Sequence, residues 1–156
     1  ISCQSTGEPA VKKQSHTSRF DAHMDVQGPI TQQELMNNHP IFAVKRQDKA
    51  STEVINTINA IEEGTQVRAF FGTWCHDSQR EIPYLLQLMQ SVDNSKVTFD
   101  LIGLDRQKQE STGQAKAANI KYTPTIVVYQ NGKELGRIVE KTSKPIGEEL
   151  LDIIQQ

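Results

Sequence analysis

The sequence predicts an α/β fold in which a central mixed sheet is flanked by helices. Continuous apolar runs typical of buried strands alternate with segments whose apolar residues recur at helical spacing, in the order β-α-β-α-β-β-α. The chain has 156 residues, of which 36% are hydrophobic and 23% are charged. This length and composition suit one globular domain with a sizeable core.

The composition argues against several classes of function. The net charge is −2, and the lysines and arginines do not cluster, so we expect no nucleic-acid partner. No apolar run approaches the roughly 18 residues that a membrane-spanning helix needs. His16, His23 and His39 lack the spacing of metal ligands, so we predict neither a metal nor a cofactor.

Three parts of the chain differ in character. Residues 1–19 are polar and poor in large apolar side chains, which predicts a flexible leader. Residues 20–50 are expected to form an N-terminal extension that packs on the main domain, residues 51–156.

Local signals subdivide the extension. Gly28-Pro29 is typical of a turn. Thr31 and Glu34 have the spacing of a capping box, which predicts a short helix that Pro40 ends or interrupts. The apolar patch 41–44 is expected to pack under the next helix.

The two cysteines, Cys3 and Cys75, allow at most one disulfide. The residues around Cys3, Ile1-Ser2-Cys3-Gln4, resemble the end of a bacterial lipoprotein signal, in which the cysteine becomes the lipidated first residue. This interpretation predicts a lipid anchor at Cys3 and a location in the bacterial periplasm or envelope. The alternative is a protein with two unpaired thiols, for which a cytoplasmic location stays open.

The main domain divides into helices and strands by its apolar spacing. A stripe of Val54, Ile55, Ile58 and Ile61 marks the first helix, and Asn131-Gly132 between two apolar runs is a strong hairpin signal. The expected elements are a helix at 51–63 stopped by Gly64, a strand at 66–71, a helix from Cys75 with Pro83 inside it, a strand at 96–104, a helix at 113–119, strands at 125–129 and 135–139, and a helix at 147–154.

Cys75 stands where the strand 66–71 gives way to a helix. At the start of a helix, unpaired backbone N–H groups and the positive end of the helix dipole stabilise a negative charge. A thiolate is such a charge, and it is the reactive form of cysteine. Because Cys75 follows a Gly-Thr-Trp turn, we expect its side chain to be partly exposed.

These residues resemble those of the thioredoxin-like thiol–disulfide oxidoreductases. Trp74-Cys75 follows an apolar strand, Pro83 falls where the family's active-site helix carries a proline, and Tyr122-Thr123-Pro124-Thr125 stands where the family has its cis-proline. The likeness covers roughly residues 53–154. It implies a thioredoxin fold with Cys75 as the nucleophile, and a peptide-binding loop at Thr123 and Pro124.

The motif reads Cys75-His76-Asp77-Ser78, a C-x-x-S in place of the family's C-x-x-C. Ser78 lies one helical turn from Cys75, so its hydroxyl can donate to the thiolate but cannot form a disulfide. A mixed disulfide at Cys75 must then be released by an outside thiol or by the substrate's second cysteine. Ala69 stands where many thioredoxins have a buried aspartate, which agrees with the loss of this second half-reaction.

Four further residues are candidates for substrate binding. Trp74 is expected to form an apolar lip beside the thiol, with core packing as the alternative. His76 and Asp77 have opposite effects on a thiolate, so the sequence leaves the pKa of Cys75 open. Glu140, where the family usually has a glycine facing the site, is expected to make the groove acidic and to raise the pKa of Cys75, unless it is a plain surface charge.

The sequence thus favours a monomeric, monothiol thioredoxin-like protein that exchanges disulfides with protein or glutathione thiols, in the manner of an oxidoreductase or an isomerase. Two alternatives stay open. The first is a redox-inactive module that binds peptides or unfolded chains around Trp74 and Thr123-Pro124. The second is a dithiol oxidoreductase in which Ser78 replaces a native cysteine.

Overall fold

The computed structural model describes residues 24–47 and 49–156. Its strands are β1 (Gly28–Ile30), β2 (Thr65–Phe71), β3 (Val97–Gly103), β4 (Thr125–Gln130) and β5 (Lys133–Val139). Its helices are α1 (Gln32–Asn38), α2 (Thr52–Asn59), α3 (His76–Ser91), α4 (Gln114–Ala117) and α5 (Ile146–Ile154), with a 3-10 turn at Pro40–Ala43. The predicted leader and the Cys3 anchor fall outside the described residues. Both stay predictions, as does the location in the bacterial envelope that depends on the anchor.

The five strands form one mixed sheet in the order β1-β3-β2-β4-β5. The central strand β2 runs parallel to β3 and antiparallel to β4, while the outer strands β1 and β5 are antiparallel to their neighbours. The predicted mixed sheet with flanking helices is therefore confirmed. Among the described residues, no helix has the length and apolar character to cross a membrane.

Both faces of the sheet are covered at the end of β2, which explains the apolar run Ala69-Phe70-Phe71. Val67, Ala69 and Phe71 belong to a large core with α2, α3 and α5, whereas Phe70 points to a smaller cluster on the other face. The smaller cluster also contains Ile102, Leu104, Ala115 and Val127. Gln66 and Arg68, on the same face of β2 as Phe70, are only half-buried, so the strand is apolar throughout only where both faces are covered.

The N-terminal extension contributes a strand that the sequence does not announce. Gly28-Pro29 was expected to form a turn, but both residues lie in β1, where Pro29 pairs with Ile102 of β3. A proline is tolerated there because β1 is an edge strand, so its missing N–H interrupts no ladder on the outer side. The predicted capping box is confirmed, since Thr31 and Glu34 bond reciprocally at the start of α1.

The patch at 41–44 does not pack as a unit. Phe42 is buried and meets Phe71 edge-on, with ring centroids 5.8 Å apart, but Ile41 and Val44 are each 47% exposed. The prediction of an apolar patch under α2 is therefore wrong for these two residues. A 3-10 turn directs successive side chains to different sides, so one of them reaches the core.

Helix α2 ends at Asn59, four residues before the predicted end, so Gly64 does not stop it. The side-chain amide of Asn94 donates to the carbonyl oxygens of Ile58, Asn59 and Ile61 at 2.9 to 3.1 Å. These bonds satisfy carbonyl groups that a helix leaves free at its end. A capping residue so far away in the sequence gives no local signal.

Candidate active site

The end of β2 and the start of α3 hold Cys75 in place. Cys75 is the N-cap residue of α3, with extended backbone angles, and its carbonyl oxygen accepts the N–H of Gln79 at 3.0 Å. Its own N–H donates to the carbonyl oxygen of Gly72 at 3.1 Å. The thiol is half-buried, and no disulfide engages it. The first-turn N–H groups of a 16-residue helix therefore face a thiol that a reagent can reach.

A second loop meets the thiol from the start of β4. The Cys75 thiol donates to the carbonyl oxygen of Thr123, with Sγ and O 3.5 Å apart. The peptide bond between Thr123 and Pro124 is cis, and the carbonyl oxygen of Pro124 accepts the N–H of Glu140 at 2.7 Å. The fold thus brings Cys75, Thr123 and Pro124 together from segments 48 residues apart.

The pKa of Cys75 lies below its ordinary value of 9.0. Burial alone raises the pKa of this thiol, but several hydrogen bonds to the thiolate together outweigh it. The donors are the Thr123 side chain, the backbone and hydroxyl of Ser78, and the backbone N–H of Asp77. These donors set the net direction of the shift, and the expected upward effect of Glu140 on the pKa of Cys75 stays a prediction.

Ser78 is fully buried beneath the thiol. Its hydroxyl oxygen accepts the N–H of Gly72 at 3.1 Å, which leaves the hydroxyl hydrogen available to Cys75. The side chain therefore joins the strand end to the helix start and also acts as a donor to the thiolate. The sequence predicted the second of these interactions from the spacing of one helical turn.

The Trp74 side chain does not simply project beside the thiol as predicted, because two neighbours hold its ring. Its indole Nε1 donates to the carbonyl oxygen of Leu104 at 2.9 Å, and its ring lies over Gly72, where an added Cβ would come within 2.5 Å of the ring. The side chain is half-buried, between the two alternatives that the sequence offered. Gly72 and Leu104, which fix the ring, were not among the predicted site residues.

The N-terminal extension also braces the active-site loop. The Thr73 hydroxyl accepts the N–H of Val26 at 3.4 Å and donates to Asp25 Oδ1 at 3.5 Å. Arg106 Nε lies 3.4 Å from Asp25 Oδ2. Sequence reasoning missed these contacts, since they join residues more than 45 positions apart.

The two middle residues of the motif face solvent. His76 is exposed, and Asp77 is half-buried with its Oδ1 2.8 Å from Arg80 Nη1. Arg80 Nε in turn lies 3.0 Å from Glu81 Oε1, and the buried Glu81 accepts the Thr142 hydroxyl at 3.2 Å. The carboxylate of Asp77 is thus paired with the guanidinium of Arg80, which also pairs with the carboxylate of Glu81.

Glu140 follows β5 directly and is exposed, with a positive φ of 66°. L-residues with side chains seldom adopt this conformation, and glycine adopts it freely. The N–H of Glu140 is committed to Pro124, so its backbone supports the cis-proline loop whatever its carboxylate does. Among the residues described, no group of three or more His, Cys, Asp or Glu side chains is arranged to hold a metal ion.

Comparison with known proteins decides the family. A family model described as thioredoxin matches residues 23–147, about four-fifths of the chain. The chain belongs to the thioredoxin family. At the general level this supports a thiol–disulfide oxidoreductase, since thioredoxin-like proteins act on protein thiols. The matched residues begin inside the predicted extension, and they include β1.

Of two solved structures similar to this chain, the first supports the fold. A Pseudomonas aeruginosa protein of unknown function is 17% identical, with a TM-score of 0.52, over 80% of this chain and 79% of its own. Mitochondrial thioredoxin 3 from Saccharomyces cerevisiae is 28% identical, with a TM-score of 0.46, over 67% of this chain and 89% of its own. No curated protein matches this thioredoxin-family chain.

Proposed function

We propose that this thioredoxin-family protein exchanges disulfides through one thiol, Cys75, and works by way of mixed disulfides. The observation that carries the proposal is the environment of Cys75 Sγ. The thiol is half-buried and 3.5 Å from the carbonyl oxygen of Thr123, with a pKa below its ordinary value. A lowered pKa increases the thiolate fraction near neutral pH, and the thiolate is the attacking species.

The first step is attack by the Cys75 thiolate on one sulfur of a substrate disulfide. A bond forms between Sγ and that sulfur, the substrate's own S–S bond breaks, and its other sulfur leaves as a thiolate. Before attack, Ser78 and the backbone N–H of Asp77 stabilise the negative charge on Sγ. When Cys75 is in its neutral form, the thiol donates a hydrogen bond to the carbonyl oxygen of Thr123.

The second step requires another thiol, because Ser78 occupies the position one turn along the helix. An external thiolate such as that of glutathione, or the substrate's second cysteine, attacks the mixed disulfide and returns Cys75 as a thiolate. The first route removes a thiol adduct from the substrate, and the second rearranges its disulfides. Both routes return Cys75 to its thiolate form without a second thiol in the domain.

The test is glutathione-dependent turnover of a peptide that carries glutathione on its single cysteine. We expect the reduced protein to release free peptide and to pass through a covalent adduct visible by intact mass. Cys75→Ser should abolish turnover and adduct together. Ser78→Cys is the matched comparison, since a second thiol should convert the adduct into an internal disulfide.

A binding role that needs no covalent step is the competing function. Tyr122 and Val139, close to Thr123-Pro124 in the chain and across the β4–β5 ladder, are 55% and 42% exposed and offer apolar contact area. If Cys75→Ser still bound the peptide with unchanged affinity, and the wild-type protein showed no turnover, the exchange proposal would be wrong and the binding role correct.

A further inference from the structure

Lys108 has a positive charge that no carboxylate of the described chain neutralises. Two other cations near the motif are paired: Arg80 with Asp77 and Glu81, and Arg106 with Asp25. No Asp or Glu oxygen of the described residues lies within 4.0 Å of the Lys108 ammonium. The ammonium lies instead 5.9 Å from the centre of the Trp74 ring.

The loop that carries Lys108 is tightly closed. Asp105 Oδ1 accepts the N–H groups of Gln107 and Gln109, each at 2.9 Å. The Lys108 N–H donates to the carbonyl oxygen of Asp105 at 2.8 Å, and the Asp105 N–H donates to that of Gln109 at 2.9 Å. Lys108 itself has a φ of 61°, a conformation that lysine rarely adopts. The backbone under the ammonium is therefore fixed by four hydrogen bonds.

The surface beneath the ammonium is fixed as well. Trp74 cannot swing freely, because Leu104 holds its Nε1 and Gly72 lies against its ring. Trp74 directly precedes the nucleophile, so the cation lies over the residue next to Cys75, and the bond to Leu104 places that ring on the β3 side of the site. The exposed carboxylate of Glu140 follows β5, on the opposite side of β2. The ammonium of Lys108 and the carboxylate of Glu140 thus lie on opposite sides of β2.

A cleft of about 500 Å³ continues from Lys108 between its loop and α4. Glu110 also lines this cleft, but its carboxylate already accepts the N–H groups of Thr112 and Ala115 and the Thr112 hydroxyl. These bonds engage the one acidic side chain of the cleft with its own loop. Lys108 and Lys116 are the basic residues that line it.

From this arrangement we propose that Lys108 determines specificity by binding an acidic residue next to the reacting cysteine of a polypeptide substrate. The proposal rests on the proposed function, and it places the acidic residue on the Trp74 side of Cys75. An ammonium carried on a hydrogen-bonded loop and set against a held aromatic ring attracts an anion with little reorganisation of the backbone. The carboxylate of Glu140 repels the substrate's acidic residue from the β5 side of the site, and this repulsion orients the substrate.

The test compares peptides that differ in one charge. Each peptide has one cysteine, activated as a 2-pyridyl disulfide, and Glu, Gln or Lys next to it. The Cys75 thiolate attacks the peptide sulfur and expels pyridine-2-thione, whose absorbance gives the rate. We expect the Glu peptide to react about fivefold faster than the Gln peptide at low salt, and the Lys peptide more slowly, with smaller differences near 1 M salt.

Variants assign the effect to one ammonium. Lys108→Gln should bring the Glu/Gln rate ratio close to one, whereas Lys133→Gln, an equal charge change in the β4–β5 hairpin, should leave it unchanged. The ratio cancels any change in the thiolate fraction of Cys75. Equal rates for Glu and Gln in the wild-type protein, or a ratio that Lys108→Gln does not alter, would overturn the inference alone. A failure of every peptide to react would overturn the proposed function.

Discussion

At the scale of single residues, Asp77 has two opposite effects on Cys75. Its backbone N–H donates to the sulfur and lowers the pKa of Cys75, while a free carboxylate beside the thiol would disfavour the thiolate. Arg80, 2.8 Å from Asp77, offsets the carboxylate, and the buried Glu81 holds Arg80 by its Nε. Because of this ion pair, the backbone N–H of Asp77 donates to the sulfur while the repulsion between the Asp77 carboxylate and the Cys75 thiolate is offset.

We predict that Arg80→Gln slows alkylation of Cys75 at neutral pH by about twofold, because an exposed neighbouring charge acts through a high dielectric. Asp77→Asn should restore the rate in the double variant, since the repelling carboxylate is then absent. The measurement is the pH dependence of alkylation by iodoacetamide, with Arg137→Gln as a control in a pair away from the site. A double variant as slow as Arg80→Gln alone would contradict the explanation.

Residue types and spacing could predict some of these roles but not all. The hydroxyl of Ser78 was expected near the thiol because positions three apart share a helix face. The Gly72 N–H that Ser78 accepts depends on how the strand end folds back, and Thr123 approaches across 48 residues. The net direction of the Cys75 pKa could not be predicted either, because it depends on the hydrogen bonds that surround the sulfur in the fold.

At the scale of elements, the segment before β1 closes the sheet beside the active-site loop. Gly103, the last residue of β3, lies against Val26: an added Cβ would be 2.5 Å from Val26 Cγ1 and 2.6 Å from its carbonyl oxygen. The same segment bonds Thr73 through Asp25 and Val26. The segment that packs Val26 against β3 therefore also places Asp25 and Val26 in contact with the loop that carries Trp74 and Cys75.

Gly103→Ala should therefore destabilise the protein by about 2 kcal/mol, as expected when a well-packed contact is overfilled. Guanidinium unfolding followed by the fluorescence of Trp74, the one tryptophan in the chain, measures the change. Gly64→Ala is the matched control, because its nearest neighbour would be 3.8 Å from the new Cβ, and it should change stability by less than about 0.5 kcal/mol. Equal stability of the two variants would show that Val26 gives way at little cost.

Elements marked by strong local sequence signals were predicted correctly, and elements that depend on distant residues were not. The Asn131-Gly132 hairpin, with φ of 52° and 79°, and the Thr31 capping box depend on neighbouring residues and were predicted correctly. Strand β1 has three residues and a proline, so only its pairing with β3 identifies it. The end of α2 depends on Asn94, which lies more than 30 residues away.

At the scale of the whole molecule, the order of the motifs along the chain predicted the fold and the meeting of Cys75 with Pro124. The sequence could not predict which charged groups pair, because the Asp25–Arg106 ion pair and the Lys108–Trp74 contact join segments that only the complete fold brings together. The placement of charged groups around the site is therefore a property of the assembled molecule.

The whole fold also links the reactive thiol to stability. The pKa of Cys75 is lower in the folded protein than its ordinary value of 9.0, so the unfolded chain binds more protons between the two values. The stability that Cys75 contributes is therefore present above pH 9.0 and is lost as the pH falls through the folded pKa. Relative to Cys75→Ser, the free energy of unfolding of the wild-type protein should rise with pH through this window.

Urea unfolding of both proteins under reducing conditions, from pH 6 to pH 9.5, measures this difference. Every other titrating group is common to the two chains and cancels, so the rise reports the thiol alone. Its onset should coincide with the pKa that alkylation gives for the folded protein. A difference that stays flat or falls with pH would mean that burial of Sγ outweighs the donors from Thr123, Ser78 and Asp77, and that the fold does not activate this cysteine.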